Sequence, residues 1–263
     1  MKRGWGVAAV AAAAIIALSG CSGGGSAANG AATKSPAPQK LTVYAAASLT
    51  ATFNTLGKGF EQAHPGVTVD FDFDGSSTLV TQLAQGAPAD VFASADEVNM
   101  QDAVKQSLIS GTPVDFATNI LEIATPPGNP AHISSFADLA KPGVKVVVCA
   151  NGVPCGNALA QVEKNTGVAI KPVSQEQNVT DVLAKVESGD ADAGVVYVTD
   201  VKGAGSKVTG VNFPEAQKVV NTYPIAATAG SKHAALAKQF VSYVTGPDGQ
   251  GLLKTAGFGA PSK

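Results

Sequence analysis

From Leu41 onward, short apolar runs with strand character alternate with amphipathic runs of helical spacing. This alternation points to an α/β fold with largely parallel sheets, because each parallel strand pair needs a crossover long enough to hold a helix. Residues 41–47 read as a strand. Leu49, Phe53, Leu56 and Phe60 then recur close to the three-and-four spacing of one helix face, and His64-Pro65-Gly66 stops that helix. Val67, Val69, Phe71 and Phe73 alternate with Thr68, Asp70 and Asp72, the mark of a half-buried strand. Residues 78–85 are predicted as a helix ending at Gly86, residues 90–93 as a strand, and Ser94 with Glu97 as a capping box for the next helix. Further strands are predicted at 120–124, 144–150, 194–199 and 225–228, and helices at 157–164, 180–188 and 232–244.

The first residues bear on the compartment. Lys2 and Arg3 precede an apolar stretch at 7–18 that is too short to span a bilayer comfortably. It ends in Leu18-Ser19-Gly20-Cys21, which resembles the bacterial lipobox and implies cleavage before Cys21 and its acylation, with palmitate among the acyl chains. Residues 1–20 are therefore expected to be a lipoprotein signal peptide, and the mature chain extracytoplasmic and held to the cell membrane through Cys21. Residues 21–40 hold no aliphatic side chain larger than Ala up to Lys40, so they cannot offset their ordering entropy by burial and are expected to be a flexible tether.

Charge and residue types narrow the chemistry. Loss of Lys2 and Arg3 would take the formal charge from −2 to about −4, which argues against nucleic acid as a partner. Arg3 is the only arginine, so the mature chain has no guanidinium fork with which to clamp an anion; lysines, hydroxyls or backbone N–H groups must serve. Cys149 and Cys155 remain after Cys21 is lipidated, and outside the cytoplasm a nearby pair is most simply a disulfide. His64, His132 and His233 are scattered, with no metal-site spacing. No G-x-S-x-G elbow, P-loop or H-E-x-x-H is present, so an enzyme is not expected, although Gly75-Ser76-Ser77 superficially resembles a nucleophile turn.

What recurs instead is a strand, a turn rich in Ser, Gly or Asn, and a helix. Ala47-Ser48-Leu49, Gly75-Ser76-Ser77-Thr78, residues 151–156 and Asn178-Val179-Thr180 all sit at such junctions. Each presents unpaired N–H groups and the positive end of a helix dipole, and several converging on one point would hold an anion without a cationic side chain.

The stretch Leu41-Thr-Val-Tyr-Ala-Ala-Ala-Ser-Leu-Thr50 resembles the opening of molybdate-binding proteins of ABC importers. So do Gly75-Ser-Ser-Thr-Leu79, Gly86-Ala-Pro-Ala-Asp-Val-Phe-Ala-Ser-Ala-Asp96, Val153-Pro-Cys-Gly156, Asn178-Val179, Gly194-Val-Val-Tyr-Val-Thr-Asp200 and Gly257-Phe258, all in the family's order. The resemblance implies a two-lobed type II periplasmic-binding-protein fold, each lobe a mainly parallel sheet flanked by helices, the lobes joined by two crossover strands. Residues 41–118 with 224–263 would form one lobe and 119–223 the other. It also implies the ligand contacts: hydroxyl and N–H of Ser48 and Ser76, the N–H of Cys155 and of Val179, and the phenol of Tyr197. Cys155 stands where the family commonly has alanine, which leaves a backbone donor intact; a Cys149–Cys155 bridge would brace that loop.

A set made only of donors suits molybdate, tungstate or sulfate, which are fully deprotonated near neutral pH. Hydrogen phosphate brings a proton that needs an acceptor, so the site would reject it unless Asp74 or Asp96 points inward. Asp96 is expected to serve the helix start; the preference for molybdate over sulfate comes from the resemblance alone. The expected protein is a monomeric receptor that closes over molybdate or tungstate and delivers it to an ABC importer permease, with no cofactor. The alternatives are a sulfate or thiosulfate receptor of the same fold, a lipoprotein hydrolase using Ser76, and a surface-interaction protein without a ligand.

Overall fold

The computed structural model describes residues 38–261; the expected signal peptide, Cys21 and most of the tether lie outside them. In chain order the elements are β1 (Gln39–Ala46), α1 (Thr50–Ala63), β2 (Val67–Asp74), α2 (Ser76–Ala84), β3 (Val91–Ala93), α3 (Glu97–Lys105) and β4 (Ile109–Thr125). There follow β5 (Val146–Cys149), α4 (Pro154–Thr166), β6 (Ser174–Glu176), α5 (Val179–Glu187), β7 (Ala193–Tyr197), α6 (Val198–Ala204), β8 (Thr209–Val211), β9 (Val220–Thr228), α7 (Ala234–Thr245) and α8 (Pro247–Ala256). Because β1 begins at Gln39, the expected tether is two residues too long at its end: Lys40 is already in the sheet and pairs with Asp70 on β2.

The sheet order is β2-β1-β3-β9-β4-β7-β5-β6, with β8 on β4. One half is parallel through β2, β1 and β3, and the other through β6, β5 and β7. The two long antiparallel strands β4 and β9 join them. β9 pairs with β3 at 225–227, β4 pairs with β7 at 121–124, and the two pair with each other along 109–120 and 220–228. These are the two crossover strands, and the fold is the two-lobed type II arrangement. The expected boundaries at 118/119 and 223/224 fall inside β4 and β9.

β4 is 17 residues long, whereas only 120–124 was expected as strand. Its first part carries Gly111 and Pro113, ordinarily turn signals, and the register with β9 shifts between Ser110 and Val114. A bulge accommodates both residue types in a strand.

Each half has its own apolar core. Leu49, Phe53, Leu56 and Phe60 of the α1 stripe are fully buried in one core with Leu41 and Val43 of β1 and Tyr223 and Ile225 of β9, and Phe53 meets the rings of Phe71, Phe116 and Phe240. Fully burying one such side chain contributes about 1.5–3 kcal/mol. The other half buries Val146–Val148, Val182, Val186 and Val195–Val196 among α4, α5 and the sheet. A smaller cluster of Leu79, Leu83, Phe92 and Met100 lies under α2 and α3.

One helix start differs from expectation. Ser94 and Glu97 do not form a capping box; Asp96 is the N-cap of α3, and its Oδ1 accepts from Asn99 N–H at 2.9 Å. The Ser94 hydroxyl donates to the Asp96 carbonyl at 2.8 Å instead, which holds the turn that presents Asp96.

Candidate functional site

The carboxyl ends of β1, β2 and β7 and the amino ends of α2, α4 and α5 meet around one cavity. It is lined by 46–48 after β1, 74–76 after β2, Ala95 after β3, 153–155 opening α4, Val179 opening α5, and Tyr197 ending β7. Its volume is about 10 Å³, far below the range of drug-sized sites and room for one small group. Ser48, Ser76, Cys155, Val179 and Tyr197 all line it.

The local structure explains the presentation of each. Ser48 is the middle residue of a 3-10 turn, Ala47–Leu49, between β1 and α1. Ser76 is the first residue of α2, Cys155 the second of α4 after Pro154, and Val179 the first of α5. Their N–H groups lie in first helical turns, where no intrahelical acceptor exists. Pro154 fits the start of α4 because its missing N–H would have been unpaired there. Asn178 caps α5 by accepting from Asp181 N–H at 2.9 Å.

No lysine or histidine lines the cavity, and its one charged residue is Asp74. Oδ1 of Asp74 accepts from Gly75 N–H at 2.7 Å and from Asn178 Nδ2 at 3.2 Å. Asp96 does not line the cavity; its Oδ2 accepts from Asn157 Nδ2 at 2.9 Å. Attraction of an anion to this cavity must therefore rest on helix amino termini and hydroxyl dipoles.

Behind these residues lies a polar layer that sequence reading missed. Ser76 Oγ accepts from Ala95 N–H at 3.0 Å, Ser48 Oγ lies 3.0 Å from the Tyr223 hydroxyl, and the Tyr197 hydroxyl accepts from Asn221 Nδ2 at 3.1 Å. Asn119 Nδ2 donates to Thr199 Oγ1 at 2.8 Å and to the Tyr223 hydroxyl at 3.4 Å. Asparagine is uncommon in strands, so Asn119 and Asn221 within β4 and β9 were the available signal. Burial pushes the phenols of Tyr197 and Tyr223 upward, so both keep their protons, and it raises the Asp200 carboxyl to about 7. Asp200 Oδ2 accepts from Tyr197 N–H at 2.9 Å, which tethers the start of α6 to the end of β7.

The two halves touch across the mouth. Besides Asp96–Asn157 and Asp74–Asn178, Asn99 Nδ2 donates to the Gly152 carbonyl at 3.1 Å. Gly75 lies against the Gln177 carbonyl so closely that a Cβ would collide with it. The loop that carries Cys155 is closed by a Cys149–Cys155 disulfide with Cα atoms 5.7 Å apart.

Residues 41–259 match the model of the family described as bacterial extracellular solute-binding protein. The chain belongs to that family. This solute-binding protein is 51% identical over 223 residues to the molybdate-binding protein ModA of Mycobacterium tuberculosis, covering 85% of each chain. It is 32% identical to the molybdate-binding protein ModA of Escherichia coli, covering 83% of this chain and 88% of that one. Among solved structures it resembles the periplasmic molybdate-binding protein of Azotobacter vinelandii, with a TM-score of 0.74 and 26% identity over 84% of this chain and all of the other. Its family is one of solute-binding proteins of transporters and not of enzymes, which removes the hydrolase reading of Ser76.

Proposed function

We propose that this protein binds molybdate outside the cytoplasm and delivers it to an ABC importer. The observation that carries the proposal is the donor set itself. Both halves of the fold bring hydroxyl-bearing residues and helix starts, whose N–H groups lack intrahelical acceptors, to the lining of one small cavity with no cationic side chain, in a chain half identical to a molybdate-binding protein. The contacts are the hydroxyls and N–H groups of Ser48 and Ser76, the N–H groups of Cys155 and Val179, and the Tyr197 phenol. No cofactor takes part. Since each half supplies part of this shell, only the closed arrangement satisfies the anion, and binding shifts the population toward it.

Tungstate shares the charge and shape of molybdate and is accepted too. Cys21 anchors a monomer to the membrane, residues 41–118 with 224–263 act as one jaw and 119–223 as the other, and their closed rims dock on the importer's permease. The Cys149–Cys155 bridge forms in the oxidising compartment and holds the loop that donates the Cys155 N–H.

Thermal unfolding of a fragment beginning at Pro36, with molybdate, tungstate, sulfate and phosphate added separately, tests the reading. An anion at a thousand times its dissociation constant stabilises by about 4 kcal/mol. Molybdate and tungstate are expected to do so. A flat response to all four refutes the receptor, and a larger response to sulfate moves the protein to the sulfate class. An equal response to phosphate means that Asp74 accepts the phosphate proton.

A further inference from the structure

A hydroxyl holds a dianion only if its hydrogen points at the ligand, and groups behind the cavity decide where that hydrogen points. Behind Ser76 stands the Ala95 N–H, 3.0 Å from Oγ, and a backbone N–H can only donate. Behind Tyr197 stands Asn221 Nδ2; the same nitrogen donates to the Ala95 carbonyl at 2.9 Å, which fixes which end of the amide is nitrogen. Behind Ser48 stands the Tyr223 hydroxyl, whose oxygen receives Asn119 Nδ2. Oδ1 of Asn119 accepts from Ile120 N–H at 3.0 Å, so this amide is fixed as well. With the Asn119 amide on one side of its oxygen, the Tyr223 hydroxyl can give its hydrogen to Ser48 Oγ, and in that arrangement the hydrogen of Ser48 is left for the cavity.

Asn119 and Asn221 face each other as one register pair of β4 and β9, and both are buried. The Asn221 carbonyl oxygen has no hydrogen-bond partner. An unpaired buried acceptor is costly, and its retention is explained if the other end of the amide has a task. Among the described residues, Ser76 Oγ has no second side-chain or backbone partner, and the Tyr197 hydroxyl has beside Asn221 only the Tyr223 hydroxyl. A ligand proton aimed at either oxygen would strand that hydroxyl's own hydrogen.

Resting on the anion-receptor reading, we infer that the cross-strand pair Asn119 and Asn221, with Tyr223, are positioning residues that lock the Ser48 and Tyr197 hydroxyls as donors and so exclude oxyanions that carry a proton. Fixed backbone polarity sets the amides, the amides set the phenols, and the phenol of Tyr223 sets Ser48.

The test compares the full chain with its Tyr223→Phe variant, which keeps the ring and removes only the hydroxyl. Molybdate affinity is measured by calorimetry and phosphate affinity by displacement of molybdate. Molybdate binding is expected to weaken about 10- to 100-fold, the effect of one misdirected hydrogen bond to a charge. Phosphate is expected to weaken far less or to gain, because the freed Ser48 oxygen can accept its proton. Equal weakening of both anions, or no change for molybdate, overturns the inference. Absence of molybdate binding by the wild type instead overturns the receptor reading itself.

If the phenylalanine variant does not fold, or phosphate binds neither protein, Asn221→Asp decides. An ionised carboxylate there accepts from Tyr197 and turns its hydrogen away from the anion. Molybdate binding should then be weak at high pH and recover as the new carboxyl gains a proton. A pH profile parallel to the wild type's overturns the inference.

Discussion

Asn157 Nδ2, on the second helix to open onto the cavity, donates to Asp96 Oδ2 of the opposite half at 2.9 Å. The contact joins the two halves at the mouth, where it forms only if they are closed. It adds a charge-assisted hydrogen bond to the closed state without touching the ligand. Asn157→Ala should weaken molybdate binding about 5- to 50-fold and leave the melting temperature of the anion-free protein within a few degrees. Calorimetry beside a thermal melt checks both, and an unchanged affinity removes Asn157 from the closure.

Gly75 makes a sharper case. Its φ of −59° and ψ of 137° suit any residue, so alanine there meets no backbone strain. The obstacle is the Gln177 carbonyl oxygen of the other half, which a Cβ would run into. Gly75→Ala should therefore hold the halves apart: affinity drops about 100-fold or more while the anion-free fold keeps its stability. Small-angle scattering of the variant with saturating molybdate should retain the open dimensions. Contraction like the wild type's would contradict this.

The Cys149–Cys155 bridge closes a short loop, with a sequence separation of 6. On the chain-entropy model such a loop contributes about 2–2.5 kcal/mol. The Cys149→Ser/Cys155→Ser double variant should lose about that much in chemical denaturation and also bind molybdate more weakly, because the loop that carries the Cys155 N–H loses its brace. Weaker stability with unchanged affinity would make the bridge purely a matter of folding.

Asp200 gives the fold a pH dependence of known sign. Burial lifts its carboxyl from an ordinary 3.8 to about 7. The folded state thus holds a proton that the unfolded chain releases, so stability is greatest below about pH 4 on this account and falls as pH rises toward 7. The swing is on the order of 4 kcal/mol at most. Asp200→Asn keeps an acceptor for Tyr197 N–H and cannot ionise, so its melting temperature should fall less than the wild type's between pH 4.5 and 7.5. Parallel slopes would assign the pH dependence to other groups.

Much of this arrangement was legible in the chain. The stripe of Leu49, Phe53, Leu56 and Phe60 announced α1 because helical periodicity is a local property, and all four side chains are fully buried. The junction residues Ser48, Ser76, Cys155 and Val179 were legible for a related reason: helix starts have local signatures, and each start carries unpaired N–H groups by construction. Where local signals conflicted, reading failed. Gly111 and Pro113 concealed the first part of β4, and Ser94 with Glu97 imitated a cap that Asp96 in fact provides.

By itself, then, the sequence determined the α/β alternation, the ends of several helices and the supply of arginine-free donors, since all of these depend on neighbours a few residues apart, whereas α6, part of which reads as strand, and α8 gave no such signal. Only the tertiary structure decided which way those donors point. Ser48 and Tyr223 are 175 residues apart in the chain, and Tyr197 and Asn221 are separated by 24. Their hydrogen bonds exist because β4 and β9 run through both halves and set Asn119 opposite Asn221. A hydroxyl's direction is fixed by the group behind it, and which group stands behind it is a matter of strand register rather than of local pattern.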